Sequence, residues 1–183
     1  MNRIAAPAPR TIALVGLMGV GKSSIGRRLA ATLGMPFRDA DVEIEAAAGL
    51  TISDVFALYG EATFRDGERR VIARLLEEPP HVLATGGGAF AQPETRALIR
   101  QKAITVWLKA DLDVLARRVA RRDHRPLLIG KDPMEVLEAH ARDRYPSFAM
   151  ADAVVETSDG PHHLAVAAIL KALAAHATAT SGP

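Results

Sequence analysis

Eight residues, Gly16-Leu17-Met18-Gly19-Val20-Gly21-Lys22-Ser23, constrain this chain more than any other stretch. They match G-x-x-x-x-G-K-[ST] at every fixed position. Just before them, Thr11–Val15 is a short, partly β-branched apolar run that reads as a buried strand. Just after them, Ile25, Leu29, Ala30 and Leu33 recur at helical spacing, and Gly34 sits where a terminating glycine belongs. A glycine-rich turn between strand and helix lets successive N–H groups converge on phosphate oxygens, while the helix N-terminus adds its positive end. The pattern predicts a nucleoside triphosphate site, with Lys22 reaching the β- and γ-phosphates and the Ser23 hydroxyl on Mg²⁺.

The rest of the chain alternates in the same way. Expected strands lie at 35–38, 81–84, 103–108 and 153–155. Expected helices lie at 42–48, 53–59, 61–78, 93–101, 111–122, 133–144 and 162–174. Asp111 is the expected N-cap of its helix, and Pro133 opens another at the favoured first position. Strands separated by helices imply an α/β domain with a parallel sheet covered on both faces. Residues 1–9 read as a flexible Ala/Pro arm, 10–174 as a single domain, and 175–183 as a frayed tail. Residues 122–132 have no periodicity and the composition of a mobile lid.

Composition narrows the function. The chain of 183 residues has no cysteine, which excludes a disulfide framework, a thiolate zinc site and a cysteine nucleophile, and fits a reducing compartment. A formal net charge of +2 is too small for a general nucleic-acid binder. Arginine nonetheless outnumbers lysine 18 to 5, and the guanidinium fork suits carboxylate and phosphate. Apolar stretches such as 164–170 are far short of the roughly 20 residues a membrane span needs. No signal peptide is apparent, so a cytoplasmic location is expected.

A kinase also needs a carboxylate near the γ-phosphate, a clamp for the acceptor and a means of excluding water. Asp39-Ala40-Asp41 follows the second expected strand. Its alternation in an extended segment would aim both carboxylates to one side, or the pair simply caps the next helix. Thr85-Gly86-Gly87-Gly88 at a strand end suggests close approach of a ligand or of another backbone, with a flexible loop as the alternative. Arg125 is either a lid arginine on the transferring phosphoryl group or a basic residue on a surface loop. Arg65 lies in a highly charged helical stretch, and by itself reads as part of a solvated face.

Taken together, GLMGVGKSSIGRRLA, FRDADVEIE, the AGLTISDVF to YGEATFRDGE block, TGGGA, and RPLL followed by Arg144 in RYP resemble the shikimate kinase family, from about Ile12 to Leu170. The resemblance implies a three-layer P-loop kinase fold, a five-stranded parallel sheet flanked by helices with a mobile lid, and ATP-dependent phosphorylation of the shikimate 3-hydroxyl, in the route to chorismate and aromatic amino acids. It implies ATP binding by Gly19, Val20, Gly21, Lys22, Ser23 and Ser24, with Arg125 from the lid and Arg118 over the adenine. Ser23 and Asp39 would hold Mg²⁺, the latter through water. Asp41 would bind the acceptor hydroxyls and act as general base, with Lys22 and Arg125 completing the catalytic set. Arg65 and Arg144 would clamp the carboxylate, Gly87 would present a backbone N–H, and Gly86 and Gly88 would shape the turn. A monomer is expected.

Two positions depart from the family pattern. Phe148 stands where many members have tyrosine, and Ala151-Asp152 arrives about one residue early, which would shift the end of the substrate helix. Residues 158–161 offer no basic match to the segment that contacts adenine. A gluconate-type kinase, or a nucleotide-dependent binding module on the same fold, are the competing readings.

Overall fold

The computed structural model describes residues 10–121 and 130–180. Arg125 and most of the expected lid lie outside them. Five strands, β1 (Thr11–Val15), β2 (Phe37–Asp39), β3 (Val82–Ala84), β4 (Ala103–Lys109) and β5 (Ala153–Glu156), form one parallel sheet in the order β2-β3-β1-β4-β5. Both faces are covered by α1 (Lys22–Leu33), α2 (Ala40–Ala48), α3 (Ile52–Leu75), α4 (Pro93–Lys102), α5 (Leu112–Ala120), α6 (Pro133–Phe148) and α7 (His162–Thr180). The central strands read as unbroken apolar runs because both their faces are buried: every residue of β1 is buried, as are Ala103 to Leu108 of β4. One core holds the sheet and its flanking helices. A smaller cluster of Ile44, Val55 and Phe64 joins α2 to α3 beside it.

Several boundaries differ from the sequence expectation, each for a local reason. Helix α2 starts at Ala40, not Val42, because the Asp39 side chain accepts the Asp41 N–H and caps it. Helix α3 starts at Ile52 rather than at 53, capped by Thr51, and is broken at Gly60 (φ 80°, ψ 173°) between the two helical stretches expected there. Asp111 is the N-cap residue of α5, but its side chain makes no capping hydrogen bond.

Helix α6 continues past Arg144 to Phe148 with Pro146 inside it. Its last turn is anchored by Tyr145 and Phe148 on Trp107, with ring centroids 5.0 and 5.8 Å away, and by Arg96, which donates to Ser147 Oγ at 3.0 Å. The early Asp152 accepts from both the backbone N–H and the hydroxyl of Thr105, at 2.8 and 2.7 Å, and so ties the short connection to β4.

The tail expected to fray from 175 is helical to Thr180. Alanine favours a helix, and Thr178 and Thr180 return hydroxyl bonds to Ala175 and His176 carbonyls. At 19 residues with a mean hydropathy of 1.3, α7 is long and apolar enough to cross a membrane by length and composition, contrary to the sequence expectation. It buries Val166, Ile169 and Leu173, and packs on α1 and β5.

Candidate active site

The strand order decides which loops can meet. The carboxyl ends of β2, β3 and β1 are neighbours, so the loops that follow them converge on one edge of the sheet. Those loops carry Asp39 and Asp41, the three glycines, and the phosphate loop respectively. In the phosphate loop Gly19 and Gly21 adopt φ 81° and 98°, which residues with a β-carbon resist. Gly21 caps α1 without a side chain, so the first N–H groups of the helix face the cleft for an anion. Lys22 Nζ donates to the Gly16 and Leu17 carbonyls at 2.8 and 3.0 Å, which keeps its ammonium inside the loop. Ser23 Oγ donates to Asp39 Oδ2 at 2.5 Å. Val20 is buried behind the loop, while Ser24 is half-buried and lines the cleft of about 80 Å³.

Asp39 and Asp41 are not on one extended segment, as the alternation suggested. Asp39 ends β2 and caps α2, whereas Asp41 is in the first turn of α2. Both nevertheless reach the site. A second cleft of about 410 Å³ opens beside the first, and Met18, Asp39, Asp41 and Gly87 line both.

Arg65, Arg144 and Glu68 form the far wall of this larger cleft. Arg65 is not on a solvated face: its side chain is only 18% exposed, and Nη1 donates to Glu68 Oε2 at 2.9 Å. Its other edge meets Glu61, with Nη2 3.2 Å from Oε1. Arg144 donates to the Gly87 carbonyl at 3.0 Å. Burial first, then the neighbouring Arg65 cation, lowers the pKa of Arg144. Two half-buried guanidinium groups facing one space form a receptor for an anion, and their planar forks match a carboxylate. Glu68, 1% exposed, has its pKa raised by burial, with Arg65 opposing that shift.

The glycine turn fits between these groups through close approach. A β-carbon on Gly86 would lie 2.7 Å from Glu68 Oε1 and 3.0 Å from Asp41 Oδ1. On Gly88 it would lie 2.7 Å from Arg65 Nη2, and on Gly87 3.4 Å from the Met18 nitrogen. The turn is also fastened at its base by Thr85, whose hydroxyl donates to the Leu14 carbonyl at 2.9 Å.

On the other side of β1, Arg118 of α5 donates to the Gly19, Val20 and Ser158 carbonyls, beside a pocket of about 80 Å³. Apart from Arg118 beside this separate pocket and Val20 behind the loop, the described residues expected at the site line the two adjoining clefts. Glu68 was not among the expected residues. Its signal was the spacing of three from Arg65, which puts both on one helix face. Met18, Phe56 and Phe64 were also missed, because an apolar wall has no sequence signature separate from core.

The Shikimate kinase family profile matches residues 18–174. A shikimate kinase from Caulobacter vibrioides is 69% identical over 164 residues, covering 90% of this chain and 82% of the relative. One from Paramagnetospirillum magneticum is 56% identical, covering 90% of this chain and 84% of the relative. A solved structure of the shikimate kinase from Acinetobacter baumannii in complex with shikimate superposes with a TM-score of 0.89 at 36% identity, covering 93% of this chain and 96% of that one. With a phosphate loop, paired arginines and a glycine turn around one cleft, and with these relatives along nearly its whole length, the chain belongs to the shikimate kinase family.

Proposed function

We infer that this site transfers the γ-phosphoryl group of ATP to the 3-hydroxyl of shikimate, giving shikimate 3-phosphate and ADP on the route to chorismate and the aromatic amino acids. One observation carries the reading: the phosphate cleft and the arginine-lined cleft share Asp41 on their common wall. A hydroxyl placed in the larger cleft would meet the γ-phosphate beside that carboxylate.

Arg65 and Arg144 would hold the shikimate carboxylate, fixing the ring so that its 3-hydroxyl points at Asp41. Glu68 orients Arg65 from behind, and Gly87 offers its N–H from the turn between Asp41 and the clamp. Asp41 takes the hydroxyl proton as that oxygen bonds to phosphorus. The bond from phosphorus to the bridging oxygen breaks, and ADP leaves. Lys22 and the N–H groups of Gly19 to Ser24 hold the phosphates. Arg125, from the lid, completes the charge stabilisation.

The oxygen donors Ser23 Oγ and Asp39, in contact at the edge of the phosphate cleft, fit a hard cation. Ser23 Oγ and, through water, Asp39 would hold Mg²⁺, which would offset the negative charge of the nucleotide phosphates. The enzyme works as a monomer in the cytoplasm, where its nucleotide is found.

ADP release measured by a coupled assay, with and without shikimate, tests the reading. Release should rise with shikimate. If it rises only with gluconate or with a nucleotide, the acceptor is wrong; if it rises with none, the chain is a binding module.

A further inference from the structure

Arg117 and Arg118, in the last turn of α5, both face Asp159 on the loop between β5 and α7. Arg117 Nη2 donates to Asp159 Oδ2 at 2.8 Å, and Arg118 Nε lies 3.3 Å from Oδ1, so each carboxylate oxygen has its own guanidinium. Hydrogen bonding from Arg117, aided by Arg118, lowers the pKa of Asp159, so the acid stays ionised at neutral pH.

Arg118 also makes contacts that Asp159 does not share. Its Nη2 donates to the Ser158 carbonyl at 2.7 Å, while Nη1 reaches the Gly19 and Val20 carbonyls at 3.3 and 3.4 Å. One side chain therefore spans from the phosphate loop to the β5–α7 loop. Beside it lies a pocket lined by the apolar Ile25, Leu164, Ala165 and Pro161 and by the polar Ser158 and His162. Apolar side chains beside a planar guanidinium suit a flat heteroaromatic base.

Left alone, two adjacent arginines repel one another and carry large rotamer freedom. Asp159 removes both tendencies at the point where Arg118 must be held. We propose that Asp159 is a positioning residue for the nucleotide, pairing with Arg117 and Arg118 so that the Arg118 guanidinium stays at the mouth of the base pocket. The proposal rests on reading the phosphate loop as the site of a nucleotide, and is independent of the acceptor.

The test is calorimetric titration of the full chain, without shikimate, using ADP and separately tripolyphosphate, which lacks a base. Because Asp159 is 55% exposed, its pairs are screened by solvent, and Asp159→Asn should weaken ADP binding by about fivefold. Asp159→Glu should recover most of that loss. Tripolyphosphate affinity should move by less than about twofold, because only the base side is disturbed. In an Arg118→Ala background, Asp159→Asn should have no further effect.

Unchanged ADP affinity in Asp159→Asn overturns the proposal. So does an equal loss for ADP and tripolyphosphate, or a loss that persists in full without Arg118. A thermal melt of each variant identifies a folding defect, and Asp159→Ser then repeats the titration. A chain that binds ADP as expected yet ignores shikimate would sink the acceptor assignment and leave this one standing.

Discussion

Gly88 and Arg65 touch so closely that a β-carbon on Gly88 would lie 2.7 Å from Arg65 Nη2 and 2.9 Å from Nη1. Those atoms are the far end of a long side chain, so Gly88→Ala should fold while pushing the guanidinium out of place. Losing one charge-assisted contact corresponds to a rise of about tenfold in KM for shikimate. KM for ATP should hardly change. Steady-state kinetics on both substrates would check this, and equal effects on both would show that the turn does not act through Arg65.

Asp41→Asn keeps the shape of the cleft but removes the base. Turnover should fall by about a hundredfold or more, the range typical for a lost general base. Nucleotide affinity should stay within about twofold, because Asp41 is not needed to hold the phosphates. Equal loss of both would make Asp41 structural.

Arg65→Ala and Arg144→Ala each remove half of the carboxylate clamp. Each should raise KM for shikimate by about ten- to a hundredfold. Arg144→Lys should recover little, because a point charge cannot reproduce the fork. A KM for shikimate that is unchanged in either Ala variant removes that arginine from the clamp.

His140 lies one turn before Arg144 on α6, and its buried Nδ1 has no hydrogen-bond partner among the described residues. Burial first, and then Arg144, push its pKa down from 6.5 to about 4. Its pKa is thus lower in the folded state than in the unfolded chain, so acid favours unfolding. Stability should decline as pH falls from 6.5 to about 4, the interval between those two values. Thermal melts across that range should show a shallower decline for His140→Gln, and parallel curves would show that the ring titrates normally.

Gly26 offers a test of the packing between α1 and the sheet. Replacing glycine by alanine inside a helix ordinarily stabilises it by about 1 kcal/mol. Here the new methyl would lie 2.7 Å from Phe37 Cε2 and 3.2 Å from Leu14 Cδ1. Overpacking of this kind costs about 1–3 kcal/mol, so Gly26→Ala should lower the melting temperature.

Much of this architecture was readable before any coordinates. The expected bounds of β1 and the expected end of α1 at Gly34 agree with the structure, because an apolar run, a glycine turn and a helical stripe are all local signals. The phosphate loop was legible for the same reason. Arg65 was legible only through the family resemblance, because a helix rich in charge looks solvated until the partner surface is known, and here the partner is a turn more than twenty residues away. Pro146 misled in the other direction: proline usually ends a helix, but packing of Tyr145 and Phe148 on Trp107 carried α6 through it. The aspartate pair was found by position, and of the two geometries left open for it, capping holds for Asp39, which starts the helix two residues early.

The strand order β2-β3-β1-β4-β5 has a consequence for how such an enzyme can change. In the proposed reaction the loops after β2 and β3 carry the acceptor side, the loop after β5 borders the proposed base pocket, and the phosphate loop after β1 lies between the two. Selection acting on one flank can retune the choice of alcohol while the donor half stays as it was. The middle strand is the hinge of that division of labour, and a change in its loop must answer to both substrates at once.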